Sequence, residues 1–148
     1  MDKLDELFAQ QEQLNDLVFR KQNLRKLDGT PLTTRDLVEM GRSDDPKGPN
    51  TDTNRWLGNY LKALQDECRE LGDELLWKWW SKDSLDMQNI RVEIIDQLHF
   101  WMSLALCAGM DAQKVFDVYV QKNKVNVRRQ ETGYSKATKT EDDNRSIV

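Results

Sequence analysis

The sequence contains few of the residues that would indicate a secreted, membrane-spanning or zinc-dependent protein. Its two cysteines, Cys68 and Cys107, are too few for a disulfide framework, and the single histidine, His99, argues against a zinc site. No apolar run approaches the roughly 20 residues of a membrane span, and the first residues do not resemble a signal peptide. The net charge of −4 lacks the basic footprint of a general nucleic-acid-binding protein. These absences predict a cytoplasmic protein in a reducing compartment.

The pattern of apolar residues predicts an all-α fold. Only three prolines and seven glycines interrupt the 148 residues, and apolar residues recur at the spacings of an amphipathic helix. No segment keeps the period of two that a strand requires. Four main helices are predicted at about 2–27, 53–80, 86–107 and 111–131, with a short helical piece at 33–40. They indicate a compact antiparallel helix bundle in one domain. The predicted organisation is a domain at 1–136 with a loop at 28–54, followed by a polar, mobile tail at 137–148.

Two pairs of carboxylates have the spacing of one helix face. Glu67 and Glu70 lie in the second main helix, and Glu93 and Asp96 lie in the third. The first pair, taken alone, is typical of a solvated surface. The second pair interrupts a mostly apolar segment, where a carboxylate is costly unless it is paired or bound to a metal. Oxygen ligands suit Mg²⁺ or Mn²⁺, and Mg²⁺ commonly works with substrate phosphates. The pattern therefore predicts a nucleotide or another polyphosphate as substrate.

Two polar groups have the chemistry to bind parts of a nucleotide. Lys122, Asn126 and Arg129 share one face of the last helix and could hold phosphate oxygens, although cations there also complement the helix dipole. Gln11 and Asn15 lie one turn apart on the first helix. Their amides could read the edge of a base, because each both donates and accepts hydrogen bonds.

The segment Trp77-Lys78-Trp79-Trp80 and His99 admit both structural and functional interpretations. Core packing or a dimer interface is the simpler interpretation for most of these tryptophans, while one of them could stack on a base. His99 follows Asp96 by three residues on the same helix face. A single histidine at such a position is more typical of a hydrogen-bonded core residue than of a catalyst.

Four motifs in this order resemble the all-α nucleoside triphosphate pyrophosphohydrolases, especially the dimeric dUTPases and the related bacteriophage dCTPase–dUTPase. QQEQLND is similar to the Q-x-x-L-N base-recognition motif, and LQDECREL to the first acidic motif. VEIIDQLHF is similar to the second acidic motif, and KNKVNVRRQETGY to a signature that commonly reads KNxLNxFRQDNGY. Arg128 stands where the family usually has Phe, Glu131-Thr132 replaces Asp-Asn, and Ser135 replaces a frequent Lys. The chain also lacks a helical segment of the longer dimeric dUTPases, which suggests a minimal, phage-type form.

The resemblance implies Mg²⁺-dependent cleavage of a deoxynucleoside triphosphate to the monophosphate and pyrophosphate, by a homodimer. It implies metal ligation by four acidic residues, with Glu70 orienting or deprotonating the attacking water. It further implies phosphate and sugar contacts, and a base pocket. The metal ligands would be Glu67, Glu70, Glu93 and Asp96; the phosphate and sugar contacts Lys78, Lys122, Asn126 and Arg129; the base pocket Gln11, Asn15, Trp80 and His99. We expect dUTP as the preferred substrate, with dCTP or a broader, MazG-like range of triphosphates as alternatives. A non-catalytic helical protein that binds a partner is the alternative from another class.

Overall fold

The fold is all-α, as the sequence predicts. A computed structural model describes residues 1–133 and 142–148. In these ranges it contains five α-helices, one short 3₁₀ turn and no strand, apart from an isolated bridge between Arg25 and Pro31. The helices are α1 (Lys3–Lys21), α2 (Thr34–Arg42), α3 (Asp52–Glu74), α4 (Met87–Cys107) and α5 (Ala112–Glu131), and the 3₁₀ turn is Asp142–Asn144. No helix in the described ranges is long and apolar enough to cross a bilayer.

The contacts of the chain group into two compact units, Met1–Met110 and Asp111–Val148. The first unit contains α1 to α4, and the second contains α5 and the 3₁₀ turn. The predicted domain boundary at 136, and the Tyr134 and Ser135 positions of the last motif, lie outside the described residues. The prediction of a single domain over 1–136 with a polar tail at 137–148 stays a prediction.

Each of the five helices begins at an aspartate or threonine that caps its first turn. In every case the side-chain oxygen of the cap accepts a hydrogen bond from the backbone N–H three residues later, which satisfies a donor without an intrahelical partner. The caps are Asp2, Thr33, Thr51, Asp86 and Asp111. The predicted helix starts at about 2, 33, 53, 86 and 111 each lie within one residue of the observed starts.

The predicted end of the first helix near Leu27 is wrong. The chain leaves α1 after Lys21 through Asn23, which has a positive φ of 51°. The N–H of Leu24 then donates to the carbonyl of Phe19 at 2.9 Å, which is the hydrogen bond of a Schellman motif. This turn directs Leu24 onto the buried cluster around Phe19. The apolar spacing continues past the helix because Leu24 packs from a turn.

The predicted extension of the second main helix to Trp80 is also wrong. Helix α3 ends at Glu74, and Leu75 is already extended, with ψ of 147°. The last turn contains Asp73 and Glu74 and no basic residue. These negative charges are repelled by the negative end of the helix dipole. The tryptophans that follow therefore lie outside the helix.

The core of the first unit forms where α1, α2, α3 and α4 meet. Its centre is an aromatic series in which the rings of Phe19 and Trp56 are 5.1 Å apart and those of Trp56 and Tyr60 are 5.5 Å apart. Leu32 and Leu37, from the predicted loop at 28–54, are buried in the same cluster. The segment around α2 is thus part of the core.

Two glycines bring α2 and the end of α4 into backbone contact. A Cβ atom at Gly41 would lie 2.4 Å from the carbonyl oxygen of Cys107, and a Cβ at Gly109 would lie 2.7 Å from the backbone nitrogen of Arg42. Gly109 also has a positive φ of 79°, a conformation that terminates α4. Gly41 lies inside α2, and its missing side chain permits this close approach.

Candidate functional site

Helices α3 and α4 pack against each other and bring acidic residues from both motifs together. Carboxylate oxygens of Glu67, Glu93 and Asp96 lie within 4.8 Å of one another, and all three side chains are half-buried. The i, i+3 spacing places each pair on one helix face, and the helix pairing then turns the two faces toward each other. We call Glu67, Glu93 and Asp96 the acidic cluster.

The acidic cluster has an unbalanced negative charge. One oxygen of Glu67 and one of Glu93, Oε2 in each case, is buried and has no hydrogen-bond partner in the described ranges. Burial first, and then the charge of Glu70, raise the pKa of Glu67 to about 7. The pKa of Glu93 is raised as well, again first by burial and then by Glu70 and Asp96. A divalent cation would relieve both the repulsion and the missing partners.

Glu70 and Glu74 lie beside the acidic cluster on α3. Glu70 is half-buried, and the Arg69 guanidinium is 4.0 Å from its carboxylate. Glu74 adds to the negative field that raises the pKa of Glu93. The sequence analysis did not select Glu74, although its position one turn after Glu70 indicates the same helix face.

The four candidates for the base pocket do not all come together. Gln11, Asn15 and His99 form one buried or half-buried polar group between α1 and α4, with Gln11 only 4% and Asn15 only 8% exposed. Gln11 Nε2 donates to Asn15 Oδ1 at 2.9 Å, and His99 Nδ1 lies 2.6 Å from Gln11 Oε1. Within the described part of the chain, Trp80 has no hydrogen bond or aromatic ring contact with this group.

Ser103 completes this polar group and was missed by the sequence analysis. Its side chain is fully buried, and its oxygen accepts from Asn15 Nδ2 at 3.0 Å and from Gln11 Nε2 at 3.4 Å. It also donates to the backbone carbonyl of His99 at 2.9 Å. We call Gln11, Asn15, His99 and Ser103 the amide network. The only indication of this role in the sequence is a serine four residues after His99 on an apolar helix.

The tryptophans of the segment after α3 are exposed, so core packing is the wrong interpretation for them. Trp77, Trp79 and Trp80 are 75%, 88% and 61% exposed. Trp80 contacts both others edge to face, with ring centroids 6.3 and 5.5 Å away. Lys78 places its Nζ 5.3 Å from the centre of the Trp77 ring. These rings are available to a ligand or to another protein surface.

The predicted phosphate-binding residues of α5 belong to the second unit. Lys122 Nζ donates to Asn144 Oδ1 at 2.6 Å, and Arg129 Nε donates to Asp143 Oδ2 at 2.7 Å. The Arg129 guanidinium lowers the pKa of Asp143. Asn126 is exposed and, with Arg129, lines an open cavity of about 450 Å³. The two cations therefore already donate hydrogen bonds to an amide and a carboxylate, as they could to an anionic ligand.

Comparison with known proteins gives one family and several phage relatives. A model of the dUTPase family matches residues 3–114. The chain is 32% identical to a dCTP pyrophosphatase of Enterobacteria phage LZ5, over 67% of this chain and 72% of that protein. It is 30% identical to a dCTP pyrophosphatase of Enterobacteria phage T4, over 66% of this chain and 50% of that protein. A DNA replication protein of phage T4 is 27% identical, but only 19% of its length is covered. No solved structure gives a significant match.

Proposed function

The chain belongs to the dUTPase family, whose model covers residues 3–114, and we propose that it hydrolyses a pyrimidine deoxynucleoside triphosphate to the monophosphate and pyrophosphate. The phage dCTP pyrophosphatases support a nucleoside triphosphate pyrophosphohydrolase. dUTP is the proposed preferred substrate, following the family. dCTP is the second candidate, because the similar phage proteins are named for it. We place this activity in the cytoplasm of the infected bacterial cell.

The acidic cluster is the observation that carries the proposal. Three carboxylates from two helices converge within 4.8 Å, and two of their buried oxygens lack a hydrogen-bond partner among residues 1–133 and 142–148. An all-oxygen donor set of this kind fits Mg²⁺, with Mn²⁺ as a substitute. Glu67, Glu93 and Asp96 would hold the ion, with Glu70 as a fourth acidic ligand. The ion would supply charge neutralisation for the phosphates and lower the pKa of a bound water.

Glu70 is the proposed catalytic residue. It lies next to Glu67 and acts on the pKa of both Glu67 and Glu93, so its carboxylate belongs to the same negative field. Unlike those two residues, Glu70 has no buried oxygen that lacks a hydrogen-bond partner in the described part of the chain. Its carboxylate would accept a hydrogen bond from the attacking water, orient it and take its proton as general base.

The amide network is the proposed base-recognition element. Gln11 uses its amide within the network, whereas Asn15 keeps a second N–H and His99 keeps its Nε2 atom without a partner among the described residues. A donor and a ring nitrogen of this kind can pair with the edge of a pyrimidine. Trp80 would add a face on which the base stacks.

The proposed phosphate and sugar contacts are Lys78, Lys122, Asn126 and Arg129. Lys122 and Arg129 supply charge-assisted donors, and Asn126 is exposed beside Arg129. Because Asp143 and Asn144 hold these cations in the structure, a triphosphate would replace one set of hydrogen bonds with another.

The active form is proposed to be a homodimer. Leu7, Leu14 and Leu17 on α1 are 41–44% exposed, and seven- and three-residue spacings place them on one stripe of the helix. Val92 and Ile95 on α4 are also exposed. A second copy of the chain would cover such apolar surfaces.

The test is pyrophosphate release from dUTP, dCTP, dTTP, dATP and dGTP, with and without Mg²⁺. We expect release only with the metal, and a preference for dUTP or dCTP over purines of at least about tenfold, or roughly 1.4 kcal/mol. Asp96→Asn should abolish release while helical content is kept. Asp73→Asn is the matched control, because Asp73 is an exposed acid paired with Arg69 on α3, and it should keep wild-type rates.

Three outcomes would contradict the proposal. Equal rates on dATP and dUTP would favour a broad triphosphatase. Full activity of Asp96→Asn would remove the acidic cluster from the mechanism. Absence of release from every triphosphate would favour the non-catalytic, partner-binding alternative.

A further inference from the structure

Ser103 is placed to control the direction of the hydrogen bonds in the amide network. It is fully buried on α4 and makes three hydrogen bonds: two amides donate to its oxygen, and its own proton goes to the carbonyl of His99. A hydroxyl has a single proton. Since that proton is used on His99, Ser103 faces the amides of Gln11 and Asn15 as an acceptor.

Because Ser103 accepts hydrogen bonds from the two amides, it fixes which group donates and which accepts in each of the other hydrogen bonds of the network. Asn15 must turn its NH₂ group toward Ser103, which leaves Oδ1 to accept from Gln11 Nε2 at 2.9 Å. Gln11 then presents Oε1 to His99 Nδ1 at 2.6 Å. A carbonyl oxygen can only accept, so the proton of a neutral His99 ring lies on Nδ1. Its other nitrogen, Nε2, is left as an acceptor.

The opposite direction is disfavoured because of Ser103 alone. If both amides were turned over, Gln11 would donate to His99 and accept from Asn15, so the bonds among these three residues would be equal in number. Ser103 would then face two carbonyl oxygens with one proton, and three hydrogen bonds would be reduced to one. Removing the hydroxyl makes the two directions equivalent.

We propose that Ser103 is a positioning residue that fixes the tautomer of His99 and thereby the choice between uracil and cytosine. This rests on the proposed function, because it assumes that the amide network meets the base. Uracil presents N3 as a donor between two carbonyls, whereas cytosine presents N3 as an acceptor beside an amine. If the free ring nitrogen of His99 faces N3 of the base, an acceptor nitrogen matches uracil. A donor nitrogen at the same position matches cytosine. A site that pairs with a base edge rejects an analogue because polar groups are left unpaired.

The first experiment measures the tautomer directly. His99 is the only histidine in the chain, so ¹⁵N NMR of histidine-labelled protein reports this ring without assignment ambiguity. In wild type, at a pH where the ring is neutral, we expect the Nδ1–H tautomer. In Ser103→Ala we expect a mixture of the two tautomers. This measurement needs no substrate, so it distinguishes failure of the network argument from failure of the proposed function.

The second experiment measures kcat/KM for dUTP and dCTP in the same variants. We expect Ser103→Ala to reduce the preference of the wild type between the two by about tenfold, the factor that a neutral hydrogen bond contributes. Ser103→Thr retains a hydroxyl and should restore both the tautomer and the preference. The matched control is Thr34→Val, which removes another buried hydroxyl, one without a partner in the described ranges, and should change neither.

Each remaining outcome overturns the inference. A wild-type ring with its proton on Nε2 contradicts the direction of the network, even if every Ser103 variant fails to fold. An unchanged tautomer in a folded Ser103→Ala protein shows that Ser103 does not set it. A changed tautomer with an unchanged dUTP to dCTP ratio removes the role in specificity.

Discussion

Metal binding to the acidic cluster should be coupled to the release of a proton. Burial and the neighbouring carboxylates raise the pKa of Glu67 from 4.5 to about 7, and a carboxylate must be deprotonated to bind a metal ion. At pH 6, one unit below that pKa, about nine in ten Glu67 side chains carry a proton. The apparent affinity for Mg²⁺ or Mn²⁺ should therefore fall as the pH drops below 7, approaching tenfold per pH unit, or about fiftyfold in all between pH 7 and 5.

Calorimetric titration with Mn²⁺ in two buffers of different ionisation enthalpy measures both the affinity and the protons released. Near pH 6 we expect about one proton per bound ion, and near pH 8 almost none. Glu70→Gln should move this dependence to lower pH, because the charge of Glu70 is the largest electrostatic contribution to the raised pKa of Glu67. Glu39→Gln, an exposed acid on α2, should not. An affinity that is constant between about pH 5.5 and 7.5, with no proton release, would refute this reasoning.

The same pKa values give the metal-free protein a distinctive stability profile. A carboxyl group whose pKa is higher in the folded than in the unfolded state binds its proton more tightly when folded. The contribution of Glu67 to the free energy of unfolding is therefore complete below pH 4.5 and is lost as the pH rises through about 7. Glu93, whose pKa is also raised, acts in the same direction. Urea unfolding without metal should therefore show decreasing stability over this interval, and added Mg²⁺ should oppose the decrease.

The remaining predictions concern packing, stacking and phosphate contacts. Gly41→Ala should lower the free energy of unfolding by about 1–3 kcal/mol, because its Cβ would meet the backbone at the end of α4. Gly58→Ala, which has open space around it in α3, should raise the free energy of unfolding by about 0.5–1 kcal/mol. Urea denaturation measures both values, and equal effects of the two substitutions would contradict the close approach at Gly41. Trp80→Ala should raise KM about tenfold or more if a base stacks there, without changing the melting temperature; an unchanged KM would exclude stacking. Arg129→Ala should reduce kcat/KM by a factor corresponding to about 1.5–3 kcal/mol, and a reduction equally present in Asp143→Ala would assign the effect to their ion pair.

The acidic residues could be found from sequence because helix geometry alone brings each pair together. Spacing of three places two side chains on one face, and the apolar surroundings of Glu93 and Asp96 indicate that this face is covered. The structure adds that Glu67 meets both of them. Their role as metal ligands stays a prediction, as does the role of Glu70.

The residues that the sequence could not place depend on contacts between distant segments. Ser103 joins the amide network across 88 and 92 positions of sequence, and no local pattern distinguishes it from a serine on any apolar helix. Lys122 and Arg129 meet partners from the C-terminal segment, which the sequence analysis treated only as a tail. The end of α3 was missed for another reason, because Leu75 and Leu76 continue the apolar spacing after the helical hydrogen bonds have stopped.

The segment between α1 and α3 constrains how this protein can be shortened or recombined. Residues 43–50 are almost all exposed, so deletions and insertions there should be tolerated. Leu32 and Leu37 are in the core, and Gly41 touches the backbone at the end of α4. A chimera that exchanged the whole interval for a short linker would open a cavity beside Phe19 and Trp56. We therefore expect α2 and the end of α4 to be exchangeable only as a pair, whereas the exposed loop after α2 can vary in length.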